Sequence, residues 1–370
     1  MSTFITRYET SGPGVRLAVK DLFDMAGEPT TAGCRAVADR AQPAPVDAAC
    51  LAGARAAGAR IVGRTNLHEL ALGVTGINPW FGTPVNPLDP TLVPGGSSSG
   101  AAVAVATGEA DVAFGSDTGG SVRIPAACCG VAGLKTTWGR IPLDGVWPLS
   151  PSFDTAGPLA RGVAGLVAGM QLFEPGFVVG PPSANLRVGR LSTAGDPLIE
   201  AAIDRALAAS EWDVTDLDLP EWNRATMVAG MLLVAEAWAS NKDLVQSDPG
   251  GIGIAVRERL VSGSEFAADT IAVGWEAQRR WQSTMTDLFQ RFDVVVTPTL
   301  TMFPPTLEDA SDLLAGRCTL PVNLAGVPAL SLPVPTTGPL PASLQLVGPA
   351  GSEERLLAAG ATLEAAVDYR

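Results

Sequence analysis

Between Val15 and Ser116 the chain alternates short apolar runs with small-residue stretches, and this alternation narrows the fold more than any other feature. VRLAV (Val15–Val19), ARIVG and the centre of GEADVAFGSD, which ends near Ser116, have the length and composition of buried strands. Between them, DAACLAGARAAG (Asp47–Gly58) reads as a helix with Asp47 as its N-cap, and NLHELAL as a short helix opening at Asn66. Strands spaced by helices in this way build layered α/β structure. Further on, the stretch from about Gly176 to Gly251 reads mainly as helix with one strand-like piece, WDVTDLDL. FDVVVTP (Phe292–Pro298), ALSLPV and ASLQLVG read as strands, and SEERLLAAGATLEAAV as a closing amphipathic helix with Ser352 as N-cap. There is no internal repeat and no long linker, so residues 1–370 are expected to form one compact unit.

Composition removes several function classes. Of 370 residues, 46% are apolar and 17% charged, which is ample material for a large core. Glu109, Asp111 and Glu236 interrupt the best candidates for a span of about 18 apolar residues, so no membrane segment is expected. The start, MSTFITRYETSGPG, lacks the apolar centre of a signal peptide and predicts a cytoplasmic protein. A net charge of −13 repels DNA and acidic membranes over most of the exterior. No nucleic-acid or membrane partner is therefore expected. The five cysteines form no CxxC pair and read as reduced, buried thiols. The single histidine, His68, is too few for a His-based zinc site, so neither metal nor cofactor is expected. Any serine chemistry must use His68 or dispense with histidine.

Two Gly/Ser segments stand out: PGGSSSGAAVAVATG (Pro94–Gly108) and FGSDTGGSVRIPAACCG (Phe114–Gly130). Glycines let the backbone turn sharply and present N–H groups to an anion. A P-loop needs Lys-Ser/Thr after its last glycine, but Ala101 and Ala102 follow Gly100. Gly96–Gly100 fits the G-x-S-x-G nucleophile elbow around Ser98, yet that fold needs a histidine after the serine, and none follows residue 68. Tight turns without chemistry are the plain alternative. Upstream, Lys20 closes an apolar strand in LAVKDLFD. Burial there would lower its pKa and let the neutral amine act as a base toward serine. Its plain alternative is an ion pair with Asp21 or Asp24.

Taken together, these segments resemble the amidase-signature family. The resemblance runs from Leu17 to about Leu357 and rests on VKDLFD, GRTNLHELALG, both Gly/Ser blocks, GLKTTWGRIP, PSFDTAGPLAR, NLAGVPALSLP and LQLVG. It implies a single large twisted mixed β-sheet covered by α-helices. It implies a Ser–cis-Ser–Lys triad in which Ser121 is the nucleophile, Ser97 the bridging serine 24 residues earlier, and Lys20 the base. The peptide Gly96–Ser97 would be cis. The N–H groups of Thr118, Gly119, Gly120 and Ser121 would form an oxyanion hole, with Asp117 and Arg123 bracing the loop and Ser98 and Ser99 adding hydrogen bonds. His68 is left a structural role. The stretches before Lys20 and in the middle of the chain look short for the family.

The reaction so implied is hydrolysis of a carboxylic amide through a Ser121 acyl-enzyme, with a small-molecule amide as the partner and a homodimer left open. Esters and carbamates would follow the same route. Pocket segments implied by the resemblance are Gly73–Gly76, Leu143–Trp147 and Thr319–Asn323. Trp147, Leu143 and Leu149 suggest an apolar or aromatic acyl group, and no pocket arginine other than Arg123 is evident, so a dicarboxylate-type substrate is not expected. Two alternatives stand beside this reading: the glutaminase subunit of a tRNA-dependent amidotransferase, and a binding protein without activity, against which the intact Lys20, Ser97 and Ser121 argue.

Overall fold

The computed structural model describes residues 2–180, 185–310 and 316–367. Its strands in chain order are β1 (Phe4–Arg7), β2 (Arg16–Lys20), β3 (Arg60–Thr65), β4 (Val112–Asp117), β5 (Ala132–Lys135) and β6 (Thr155–Ala160). There follow β7 (Arg187–Arg190), β8 (Asp213–Asp216), β9 (Val294–Pro298), β10 (Ala329–Val334) and β11 (Ala342–Val347). They form one mixed sheet in the order β1-β3-β2-β4-β6-β5-β10-β11-β9-β7-β8. β3, β2 and β4 run parallel, as do β9, β7 and β8, while the pairs between these two groups are antiparallel. The central strands β4, β6, β10, β11 and β9 are buried at every residue, because helices cover both faces of the sheet.

Strand alternation sorts side chains between the two faces. In β2 and β4, Leu17, Val19, Val112 and Phe114 enter the larger core, where Phe114 stacks on Phe173 of the helix Val163–Phe173. Ala18 and Ala113 point the other way and pack with Ala101, Ala102 and Ala104 of the helix Ser99–Ala106. Small residues on both partners let this helix lie close to the sheet. Lys20 is two residues beyond Ala18, on the same face of β2, and so projects toward the N-terminal end of that helix. This is how an apolar strand delivers a lysine to the serines preceding the helix.

Several sequence expectations need correction. Asp47 does not cap a helix: its carboxylate pairs with Arg55 and accepts from the Ala26 N–H, and the segment forms a 3₁₀ turn, Ala49–Leu51, leading into Ala52–Ala56. NLHELAL yields only the 3₁₀ turn Glu69–Ala71, with Leu70 and Ala71 at φ of 52° and 56°. Ser352 makes no side-chain cap to the helix Glu353–Ala366. β1, β5, β6 and β7 were not anticipated.

Candidate active site

The site assembles where β2 and β4 end. Lys20 is fully buried, and its Nζ donates to Ser97 Oγ at 2.7 Å and Ser116 Oγ at 2.9 Å. It makes no ion pair with Asp21, which is bound to Arg64 and Thr31, or with Asp24, which accepts from Thr30. Burial pulls the Lys20 pKa down to about 7, against the raising influence of Asp117 and Asp154. Desolvation therefore dominates, although the opposing carboxylates are not the two that adjoin Lys20 in sequence. Ser116 went unnoticed in the sequence. The signal was the strand pairing: Val19 lies opposite Phe114, which carries the end of β4 to the side of Lys20.

The Gly96–Ser97 peptide is cis. The Ser97 carbonyl accepts from the His68 N–H at 2.9 Å, and the Ser98 N–H donates to the Ser121 carbonyl at 3.2 Å. Ser98 Oγ donates to the Ser116 carbonyl at 3.3 Å, a tie within the scaffold. Ser99 Oγ is buried without a hydrogen-bond partner among the described residues, so the added bond expected of it is not made. Ser121 lies between β4 and the helix Arg123–Cys129, and its hydroxyl makes no hydrogen bond among the described residues. His68 is turned to a neighbouring cavity; its Nδ1 is 3.3 Å from Thr75 Oγ1, and burial pushes its pKa down to about 4.

The loop Thr118–Val122 winds around the Asp117 carboxylate. Asp117 accepts from the N–H groups of Gly120 at 2.9 Å and Val122 at 3.1 Å, and from Arg123 Nη2 and Asn323 Nδ2. The Arg123 guanidinium beside Asp117 helps hold its carboxyl well below the ordinary range despite burial. Arg123 is used up in this brace, since it also donates to Gln345 Oε1 and Asn323 Oδ1. The expected oxyanion set needs one correction. The Gly120 N–H is committed to Asp117, whereas those of Thr118, Gly119 and Ser121 carry no hydrogen bond among the described residues. Gly120 sits at φ +127°, and a Cβ there would lie 2.5 Å from Ile124 Cδ1, so the loop needs glycine at that position. Asp154 is a further support: it accepts from Thr118 Oγ1 at 2.6 Å and from the N–H groups of Leu149 and Ser150.

A cavity of about 280 Å³ opens onto Ser121. Thr118 and Gly119 line its floor, and Leu72, Val74, Leu149, Leu233 and Leu320 form apolar walls. Of the expected pocket segments, Gly73, Val74, Leu149 and Leu320 are present. Trp147 is not, because it hydrogen-bonds to Asn241 and lines a separate hollow, and Leu143 packs against the main core. Thr319 supports the loop from behind, donating to the Gly119 carbonyl at 2.6 Å. The cleft's cations are Arg259 and Arg317 rather than Arg123.

The Amidase family model matches residues 8–175 and 179–357. A glutamyl-tRNA(Gln) amidotransferase subunit of Halobacterium salinarum is 32% identical over 428 aligned positions, covering 98% of this chain and 99% of that protein. A crystal structure of an amidase superposes with TM-score 0.87 at 32% identity, over 96% of this chain and 85% of that one. A 6-aminohexanoate cyclic dimer hydrolase superposes with TM-score 0.85 at 26% identity, over 99% and 90%. One sequence expectation falls here. A partner set limited to a small amide, without nucleic acid, conflicts with a relative that is by name one subunit of a tRNA amidotransferase. Among the described residues no helix is long and apolar enough to cross a membrane.

Proposed function

The chain belongs to the amidase family and is an enzyme acting on carbon–nitrogen bonds, and from that premise we propose how it cleaves them. The observation that carries the proposal is a fully buried lysine with no carboxylate partner among the described residues, 2.7 Å from the Ser97 hydroxyl and with a pKa of about 7. Neutral Lys20 takes the Ser97 proton while Ser97 takes that of Ser121, and Ser121 Oγ attacks the amide carbonyl. The oxygen, now negative, meets the N–H groups of Gly119 and Ser121, with Thr118 beside them. Lys20 returns its proton through Ser97 to the departing nitrogen. Water then enters by the same relay and releases the acid. Asp117, Arg123 and Asp154 shape the loop without touching the reacting atoms. Ser121→Ala should leave the fold unchanged by circular dichroism and lower kcat by roughly a millionfold, the scale of losing a catalytic serine. Turnover within tenfold of the parent would sink the assignment.

The curated relatives favour one setting for this chemistry. The near-complete mutual coverage with the Halobacterium protein supports reading this chain as the amide-cleaving subunit of an amidotransferase, freeing ammonia from glutamine for a partner. Five buried, free cysteines suit a reducing, cytoplasmic location.

A further inference from the structure

In the relay proposed above, the departing nitrogen takes its proton from Ser97, so it leaves on the Ser97 side of Ser121. The segment 72–76 marks that side. It packs so closely on the Gly96–Ser97 peptide that a Cβ on Gly96 would stand 2.8 Å from the Gly76 nitrogen and 3.3 Å from the Gly73 carbonyl oxygen. Beside it, the His68 N–H donates to the Ser97 carbonyl. Against this segment lies a second cavity, of about 520 Å³. It shares Leu72, Gly73, Val74 and Arg259 with the cavity in front of Ser121, whereas Thr118, Gly119, Leu149 and Leu320 line only the latter. The site thus has two rooms, one on the side of the oxyanion loop and one on the side where the nitrogen departs.

The second room is far larger than departing ammonia requires. Ile77, Pro79, Ile254 and Val256 give it apolar walls. Glu69, its only acid among the described residues, already accepts from Trp80 Nε1 at 2.7 Å and from the Gly253 N–H at 2.9 Å. His68 is held neutral by burial, and its Nδ1 lies against Thr75 Oγ1. An ammonium carried into this room would find no free carboxylate and would share it with the Arg259 guanidinium. A hydrocarbon group would instead leave water for apolar walls, a gain of roughly threefold in affinity per buried methylene. We propose that this room receives an uncharged, apolar substituent on the amide nitrogen, so that the enzyme also cleaves secondary amides and releases a primary alkylamine. The bonds that change are those of the relay: Ser121 Oγ bonds to the acyl carbon, the C–N bond breaks, and the nitrogen gains its proton through Ser97 and departs as a neutral amine. The inference rests on that relay.

The test compares kcat/KM for pentanamide and its N-methyl, N-ethyl, N-propyl and N-butyl derivatives. From N-methyl to N-butyl, kcat/KM should rise roughly threefold per added methylene, through KM. N-(3-aminopropyl)pentanamide matches the N-butyl compound in length but ends in an ammonium, and should fall at least roughly tenfold below it. Ala255 lines the room from the exposed start of the helix Ile254–Ser262. Ala255→Trp should raise KM for N-butylpentanamide roughly tenfold or more and leave the pentanamide rate nearly unchanged, which also reports that the variant is folded. A flat or falling alkyl series, an aminopropyl compound as good as the butyl one, or an Ala255→Trp variant that slows both amides alike would overturn the proposal. If pentanamide is not cleaved and a fluorophosphonate leaves Ser121 unmodified, the relay fails and the inference with it. If pentanamide is cleaved and no N-alkyl amide is, only the inference about the second room fails.

Discussion

At the scale of single residues, the account turns on the charge of Lys20. An ordinary lysine near pKa 10.4 would be almost wholly an ammonium at neutral pH and unable to accept a proton. With its pKa brought to about 7, the neutral form is the minority below that pH and the majority above it. Activity should therefore rise about tenfold per pH unit below 7 and level off above 8, with one deprotonation governing the limb. Lys135 is a second buried lysine with a pKa of about 7, but it donates to the carbonyls of Thr136 and Val327 and is not bonded to the serines. Lys20→Arg should abolish both rate and limb, since arginine does not deprotonate in this range. An active Lys20→Arg variant with the limb intact would identify another base. Lys20 stood out in the sequence because it closes an apolar strand, whereas Ser97 and Ser121 were singled out only through the family resemblance of the two Gly/Ser blocks. Arg259 and Arg317 could not be picked out: each lies in an unremarkable helical stretch, and only the tertiary fold brings them to Ser121.

At the scale of elements, long apolar runs declared themselves and small-residue strands did not. β9, β10 and β11 carry Val- and Leu-rich sequences and were legible. β6, with the sequence TAGPLA, carries Gly-Pro, which ordinarily punctuates a turn, yet it runs through the middle of the sheet. Its partner β5 pairs only with Leu159 and Ala160, so Pro158 lies beyond the last paired position on that side and breaks no bond to β5. Gly157 answers to close approach: a Cβ there would stand 2.0 Å from the Leu134 carbonyl oxygen. Gly157→Ala should lower the urea midpoint by an amount worth roughly 1–3 kcal/mol or more, with the slope preserved. An unchanged midpoint would mean that β5 and β6 separate without cost. The Gly/Ser blocks were legible as loops, but Asp117's capture of the Gly120 N–H was not, because composition does not say which N–H groups a neighbouring carboxylate will claim.

At the scale of the whole molecule, charge and kinship pull in different directions. The charge of −13 gave the expectation of no nucleic-acid partner, and a relative that is one subunit of a tRNA amidotransferase overturns it. Ammonia release from glutamine should then rise by roughly tenfold or more when the purified chain is mixed with the partner subunits and glutamyl-tRNA(Gln) of its own cell. Full glutamine turnover by the chain alone, unaffected by those additions, would refute the subunit setting while leaving the amide chemistry untouched. That chemistry rests on one atom, Ser121 Oγ, and the most direct measurement is to treat the intact chain with a fluorophosphonate and locate the adduct by peptide mass spectrometry. The account predicts a single adduct on Ser121, formed faster as pH rises through 7 and absent from Lys20→Arg; an adduct on Ser97 or Ser98, or one formed equally well without Lys20, would contradict it.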